Sequence, residues 1–243
     1  MSATVEEERE DADVVTSSDD YARRFAGAVG AYFLEVQARA TLELLAPYPG
    51  ASVLDVGGGH GQTTGPLVDA GHAVTILGSE ASCEARVRAW TGTGRARFLA
   101  ADLLDPGLAD RSFDVVLSYR LLPHARRYER LVASLARLAA KAVVVDYPTR
   151  RSLNAAADLF FGLKKGVERD TRPFRVFADD EVEGAFAAHG FRPAARRGQF
   201  FFPMALHRAT GSAGLARALE GAAGAVGLTR VLGSPVVLRL ERG

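Results

Sequence analysis

The 243-residue chain has a single cysteine, Cys83, so it can form no internal disulfide, and its five histidines show no zinc-ligand spacing with it. Lysine occurs only at Lys141, Lys164 and Lys165. The arginines that supply the rest of the positive charge are scattered along the chain without forming one stripe, which argues against a nucleic-acid partner. No window approaches the roughly eighteen consecutive apolar residues of a membrane-spanning helix, and the N-terminus lacks the positive region and apolar stretch of a secretory signal. These absences predict a soluble, cytoplasmic protein in a reducing compartment, without a metal and without stable membrane insertion.

What is present is material for one good core: 48% of the residues are hydrophobic. The net charge of +1 hides an asymmetry. Residues 1 to 20 carry eight acids and one arginine, leaving 29 basic against 21 acidic side chains in the remainder. The stretch MSATVEEEREDADVVTSSDD is too charged and too poor in apolar residues to fold alone, which predicts a disordered acidic tail over residues 1–19. A solvated extension is its plain reading; an autoinhibitory or partner-binding role is the functional alternative.

From residue 20 to 49 apolar residues recur at helical spacing until Pro47, Pro49 and Gly50 stop them, predicting a cap of one or two helices. The runs SVLDV, AVTIL, ARFLA, FDVVLS and AVVVDY then alternate with amphipathic segments. That alternation predicts βαβ crossovers: an α/β, doubly wound, Rossmann-like, mostly parallel sheet with helices on both faces. A long connection over 150–176 reads as a helical insertion or lid, and DDEVEGAFAAHGF as a helix stopped by Gly190. Two more strands are expected, near Arg196–Leu206 and Pro235–Leu240, with a helix over Ser212–Gly227 between them. The total is seven strands in a single domain over 20–243.

The stretch VLDVGGGHGQTTGPL, residues 53–67, decides the ligand class. Gly57, Gly59 and Gly61 permit positive φ and let backbone N–H groups approach a ligand with no Cβ in the way. The dinucleotide fingerprint fails, because its sixth position would be Gln62 or Thr64, and no Gly-Lys-Ser/Thr follows to make a phosphate-binding loop. Asp55 stands two residues before the first glycine, at the tip of a hydrophobic strand. A carboxylate there repels a pyrophosphate and attracts an ammonium or sulfonium.

The pattern D-x-G-x-G-x-G after a first strand resembles motif I of the class I S-adenosylmethionine-dependent methyltransferases, and the similarity spans residues 50–192 and, more loosely, the rest. The resemblance implies that Asp55, Gly57, Gly59 and Gly61 hold the methionine part of S-adenosylmethionine. FLAADLLD resembles the family's adenine contact, which implies roles for Asp102 and Leu103, with Asp105 as the alternative acid. SFDVVLSYRLLPH resembles the fourth-strand motif, which implies that Ser118, Tyr119 and Arg120 face the transferring methyl, with His124 just beyond.

One position departs from the family. The second strand usually ends in an acid that accepts the ribose hydroxyls, and here Gly78 stands at that place, with Ser79 or Glu80 as possible substitutes. The resemblance implies methyl transfer to an oxygen or nitrogen of a hydrophobic small molecule, with His124 and Tyr119 as the catalytic candidates. Aromatic residues in the cap, the insertion and the sixth strand suggest an apolar or aromatic acceptor. The alternative is a methyltransferase-like binding or regulatory module without turnover, which Gly78 favours.

Overall fold

The structure, a computed structural model, describes residues 9–153 and 174–243. Most of the expected insertion, including Phe160, Phe161, Lys164, Lys165 and Arg169, lies outside the described residues. Seven strands form one sheet: β1 (Ser52–Val56), β2 (Ala73–Gly78), β3 (Ala96–Ala100), β4 (Phe113–Ser118), β5 (Ala139–Tyr147), β6 (Phe191–Phe200) and β7 (Ser234–Arg242). Their order is β3-β2-β1-β4-β5-β7-β6. The first five pair in parallel, and β7 runs antiparallel to both β5 and β6.

The period of two along each strand sorts side chains onto the two faces. Leu54, Val56, Val116, Val143 and Val145 pack against Leu131 and Leu135 of the helix Tyr128–Leu138 and against Val182 and Phe186 of the helix Asp179–Ala187. Val53, Ile76, Val115, Leu117 and Val144 pack against Ala40, Leu44 and Leu45 of the long cap helix and against Leu67. Central strands buried on both faces read as unbroken apolar runs, which is why they are visible in the sequence. Chain order reverses between β1 and β4, so the crevice beyond their carboxyl ends is where a doubly wound sheet takes its ligand.

The N-terminal region departs from expectation. Residues expected to be disordered form α1 (Ala12–Thr16), while α2 (Asp19–Arg23) and α3 (Gly27–Leu45) make up the expected helical cap. Ser18 starts α2 by accepting the Tyr21 N–H at 3.2 Å, and Gly27, at φ +72°, breaks the chain between α2 and α3. Glu10, Ala12, Asp13 and Thr16 are all buried. Composition counts charge but not partners, and here the acids are matched to backbone donors of the loops below: the Glu10 carboxylate accepts the Arg126 N–H at 2.8 Å and the Arg127 N–H at 3.4 Å.

The sixth strand also differs, beginning at Phe191 and ending at Phe200 instead of running from Arg196 to Leu206. Beyond Phe200 the N–H groups of Phe201 and Phe202 go to the Glu220 carboxylate instead of a neighbouring strand, and Pro203, which has no N–H, precedes a helix over Met204–Thr210. The expected helix after it is found over Ala213–Ala225. No helix among the described residues is long and apolar enough to cross a membrane.

Candidate functional site

The turn after β1 is built from glycine because its shape demands it. Gly57 and Gly61 sit at φ +75° and +71°, flanking a single 3-10 turn over Gly58–His60, and the Gly57 N–H donates to the Leu77 carbonyl at 2.8 Å, tying the turn to β2. Gly58 and Gly59 are glycine for lack of room. A Cβ on Gly58 would lie 2.3 Å from the Asp55 carboxyl, and one on Gly59 would lie 2.5 Å from Ser17 Oγ and 2.7 Å from the Cys83 carbonyl.

Asp55 is fully buried beneath this turn. Its Oδ2 accepts the Thr63 hydroxyl, and its Oδ1 has no partner among the described residues. Loss of solvent pushes its pKa up to about 7, with the nearby Asp146 adding to the rise and the Thr63 hydrogen bond opposing it. Asp146, in the equivalent place near the end of β5, is also buried and also raised by desolvation, and its Oδ1 accepts the Arg120 N–H at 2.6 Å.

Arg120 follows β4 at φ +60°, a conformation that few side-chain-bearing residues adopt. Its guanidinium donates to Gln62 at 2.8 Å and to Gln37, and lies 4.3 Å over the Phe25 ring, joining the cap to the glycine turn. His60 is buried and neutral, its pKa lowered to about 3 by desolvation and by Arg120 and Arg86; its Nδ1 accepts the Gln62 N–H and its Nε2 is unpartnered among the described residues.

The remaining anticipated residues divide into two groups. Ser118 is fully buried and donates to the Val56 carbonyl at 3.0 Å, locking the ends of β4 and β1 together. Leu103 lies in the core, and Asp102, half-buried, folds back to accept the Leu104 N–H at 3.0 Å. Asp105 is exposed and ion-paired with Arg137 at 3.3 Å. Tyr119 is fully buried on the α3 side of the sheet, with its hydroxyl 2.7 Å from Thr41 Oγ1 and its pKa raised by desolvation, so it holds α3 to β4. His124 ends a 3-10 turn over Leu122–His124, half-buried, with its ring 5.5 Å from that of Phe174.

At the end of β2 the structure explains the departure seen in the sequence. A Cβ on Gly78 would lie 2.8 Å from the Phe98 ring and 2.9 Å from Cys83 Cβ, so no acidic side chain fits there. Glu80 is exposed and accepts the Ser82 hydroxyl at 3.1 Å. Ser79 is buried, its N–H taken by Asp13 Oδ2 at 2.8 Å and its own hydroxyl unpartnered among the described residues.

The space beside Gly57 and Gly59 is taken by Leu121, Asp13, Ser17 and Cys83, and around the turn the buried atoms Asp55 Oδ1, Asp13 Oδ1, Ser79 Oγ and His60 Nε2 have no partner among the described residues. Three buried carboxyl groups around one turn, those of Asp55, Asp146 and Asp13, favour a positively charged, hydroxyl-bearing ligand and disfavour a diphosphate. The residues present fit S-adenosylmethionine.

A family model described as a methyltransferase domain matches residues 54–144, from β1 through most of β5. The match covers the strands and the glycine turn that form the site. Nocamycin O-methyltransferase of Saccharothrix syringae is 36% identical to the chain over 126 residues, 45% of this chain and 45% of that protein, so the match spans under half of the curated relative's length. The magnesium protoporphyrin IX methyltransferase of Synechocystis PCC 6803 with bound SAH superposes with a TM-score of 0.66 at 15% identity, over 93% of this chain and 94% of that one. The 1,6-didemethyltoxoflavin-N1-methyltransferase of Burkholderia thailandensis superposes at 0.57 with 17% identity, over 85% and 76%. At those identities the superpositions speak for the fold.

The site also uses residues that the sequence pattern did not single out. Thr63 donates to Asp55, while Gln62, Asp146 and Gln37 all accept from Arg120, and Asp13 accepts from Ser79 at the end of β2. Asp146 left a signal, an acid near the tip of the apolar run AVVVDY, just as Asp55 stands near the tip of SVLDV. Asp13 and Gln37 left none, because their partners are remote in sequence: Gln37 and Arg120 are 83 residues apart, and Asp13 and Ser79 are 66 apart.

Proposed function

We propose that this chain is an S-adenosylmethionine-dependent methyltransferase acting on an oxygen or nitrogen of a hydrophobic small-molecule metabolite in the cytoplasm. The observation that carries the reading is Asp55: a fully buried carboxyl group with one unpartnered oxygen beneath a glycine turn, next to a second buried acid. Its charge is costly unless a cation shares the crevice. When bound, the cofactor supplies an activated methyl group. The protein's part is to orient the acceptor, exclude water and, for a weakly nucleophilic acceptor, take a proton.

His124 is the candidate base, since it borders the carboxyl end of β4 and its half-buried ring stands against Phe174. Tyr119 acts as a support in this reading, with its hydroxyl committed to Thr41. Asp102 retains the adenine contact implied by the family pattern. An oxygen or nitrogen acceptor accords with the names of the two relatives, an O-methyltransferase and an N1-methyltransferase. Among the described residues the aromatic contribution to acceptor binding narrows to Phe174, Phe201 and Phe202, because Tyr32, Phe33, Phe177 and Phe200 are consumed by core packing.

Incubation with methyl-labelled S-adenosylmethionine and a panel of hydroxy- and amino-bearing aromatic metabolites should label at least one acceptor. His124→Ala should then lower the turnover rate by a factor of about 10² to 10⁴, with S-adenosylhomocysteine affinity unchanged. A module without turnover would label nothing. A labelling rate indifferent to His124→Ala would remove His124 from the role of base.

A further inference from the structure

The second strand ends where no acid fits, yet an acid is present. In doubly wound nucleotide-binding sheets a carboxylate at the end of the second strand accepts the ribose hydroxyls. Here Phe98 and Cys83 fill the space beside Gly78, and the carboxyl group at that strand end comes from Asp13 of α1.

Asp13 Oδ2 accepts the Ser79 N–H at 2.8 Å and lies 3.5 Å from Cys83 Sγ, the first contact spanning 66 residues of sequence. The residue is 0% exposed, and Oδ1 has no partner among the described residues. On its other side the Asp13 Cβ stands at 3.4 Å from where a Gly57 Cβ would be, so the carboxyl group lies between the glycine turn and the end of β2. The segment carrying it is tied down on both sides. Arg9 donates to the Ser79 carbonyl at 2.9 Å, and Glu10 accepts the backbone N–H of Arg126.

A buried carboxyl oxygen with no donor is costly, and it is rare unless a ligand or water completes it. Oδ1 can only accept, and the neighbouring Ser79 Oγ can accept or donate, so a hydroxyl-bearing group is able to satisfy both. A ribose diol is such a group. We propose that Asp13, delivered by the N-terminal helix, is the ribose-binding carboxylate of this chain, replacing the strand-end acid that Gly78 cannot carry.

This inference rests on the S-adenosylmethionine reading above and makes the acidic N-terminal segment part of the cofactor site. It also explains how the β2 end can be glycine without loss of the contact. An acid on a separate helix reaches the same place, and Cys83 and Phe98 pack where the usual side chain would have stood.

The test is calorimetric titration of the full chain with S-adenosylhomocysteine and with its 2′-deoxyribose analogue. The native protein should prefer the hydroxylated ligand by at least about tenfold. Asp13→Ala and Asp13→Asn should each lose about ten- to a hundredfold in S-adenosylhomocysteine affinity, and the preference between the two ligands should collapse toward parity. Asp13→Asn keeps an acceptor for the Ser79 N–H and so preserves the segment if alanine loosens it. A preference that survives both substitutions, or a native protein without preference, overturns the assignment while leaving the cofactor reading intact. Tighter binding by the variants also overturns it, because Asp13 would then be excluding the cofactor. Failure of the native protein to bind S-adenosylhomocysteine overturns both.

Discussion

Asp55→Asn is expected to weaken S-adenosylhomocysteine binding by about tenfold or more and, at the same time, to flatten the dependence of folding stability on pH. Both effects come from one buried charge. The folded-state pKa of Asp55 is raised to about 7 against an ordinary value near 4, chiefly by desolvation. Between those two values the folded protein binds more protons than the unfolded chain. The contribution is therefore fully present below about pH 4 and is lost as pH rises through 7, on the order of 4 kcal/mol across the window. Asp146 is shifted in the same direction and adds to the fall.

Asparagine cannot ionise, so the Asp55→Asn variant should hold its stability better than the native protein as pH rises from about 5 to about 8. Denaturant melts at several pH values measure the difference directly. Curves that stay parallel would mean that Asp55 is not carrying the strained charge. Binding should move the other way, because a cationic ligand makes ionisation of Asp55 favourable. Native affinity for the ammonium-bearing S-adenosylhomocysteine should climb between about pH 6 and about pH 8, and that climb should shrink in Asp55→Asn. Stability and function are opposed at this residue, as is common where a site keeps an uncompensated group for its ligand.

Glu220→Ala is expected to be the most destabilising single substitution away from the glycine turn, costing about 3–5 kcal/mol. The Glu220 side chain is buried and does three things at once. It accepts the N–H groups of Phe201 and Phe202 at 2.8 and 3.0 Å and meets His207 Nε2 at 2.8 Å. Those contacts end the sixth strand, turn the chain into the helix Met204–Thr210 and fix Phe200 against Tyr32 and Phe33, whose rings lie 6.0 and 5.1 Å away. Removing the carboxylate leaves two backbone donors and a buried imidazole without their shared partner. For a chain of this size the loss corresponds to roughly 6–20 °C in Tm. Glu220→Gln keeps one acceptor but turns the other oxygen into a donor that faces a backbone N–H, so it should cost less than alanine without restoring native stability. An alanine variant within about 1 kcal/mol of native would show that the turn is held by something else.

The sheet was legible because its signals are local. Continuous apolar runs of five or six residues, each followed by an amphipathic helix, leave little choice of architecture, and the acid-glycine pattern of residues 55–61 marks the ligand end of β1. The departure at Gly78 was legible as a departure, but its cause was not, since Phe98 and Cys83 reach the same point only after β2 and β3 pair. The first helix, α1, escaped notice for a related reason. The acids in and just before it look like solvated charge in a window of sequence and become buried hydrogen-bond acceptors only against Ser79, Arg126 and Arg127. The end of β6 was misplaced because three successive phenylalanines read as strand, while the backbone donors of the last two belong to Glu220, at separations of 19 and 18 residues.

If the turn beginning at Asp55 receives a positively charged amino-acid-bearing nucleoside and rejects a diphosphate, two ligands should separate cleanly. Parallel titrations of the intact chain with S-adenosylhomocysteine and with a nicotinamide dinucleotide make the comparison directly. Micromolar binding of the first and none of the second is the predicted result. Binding of the dinucleotide, or neither heat nor a thermal shift with S-adenosylhomocysteine, would contradict it.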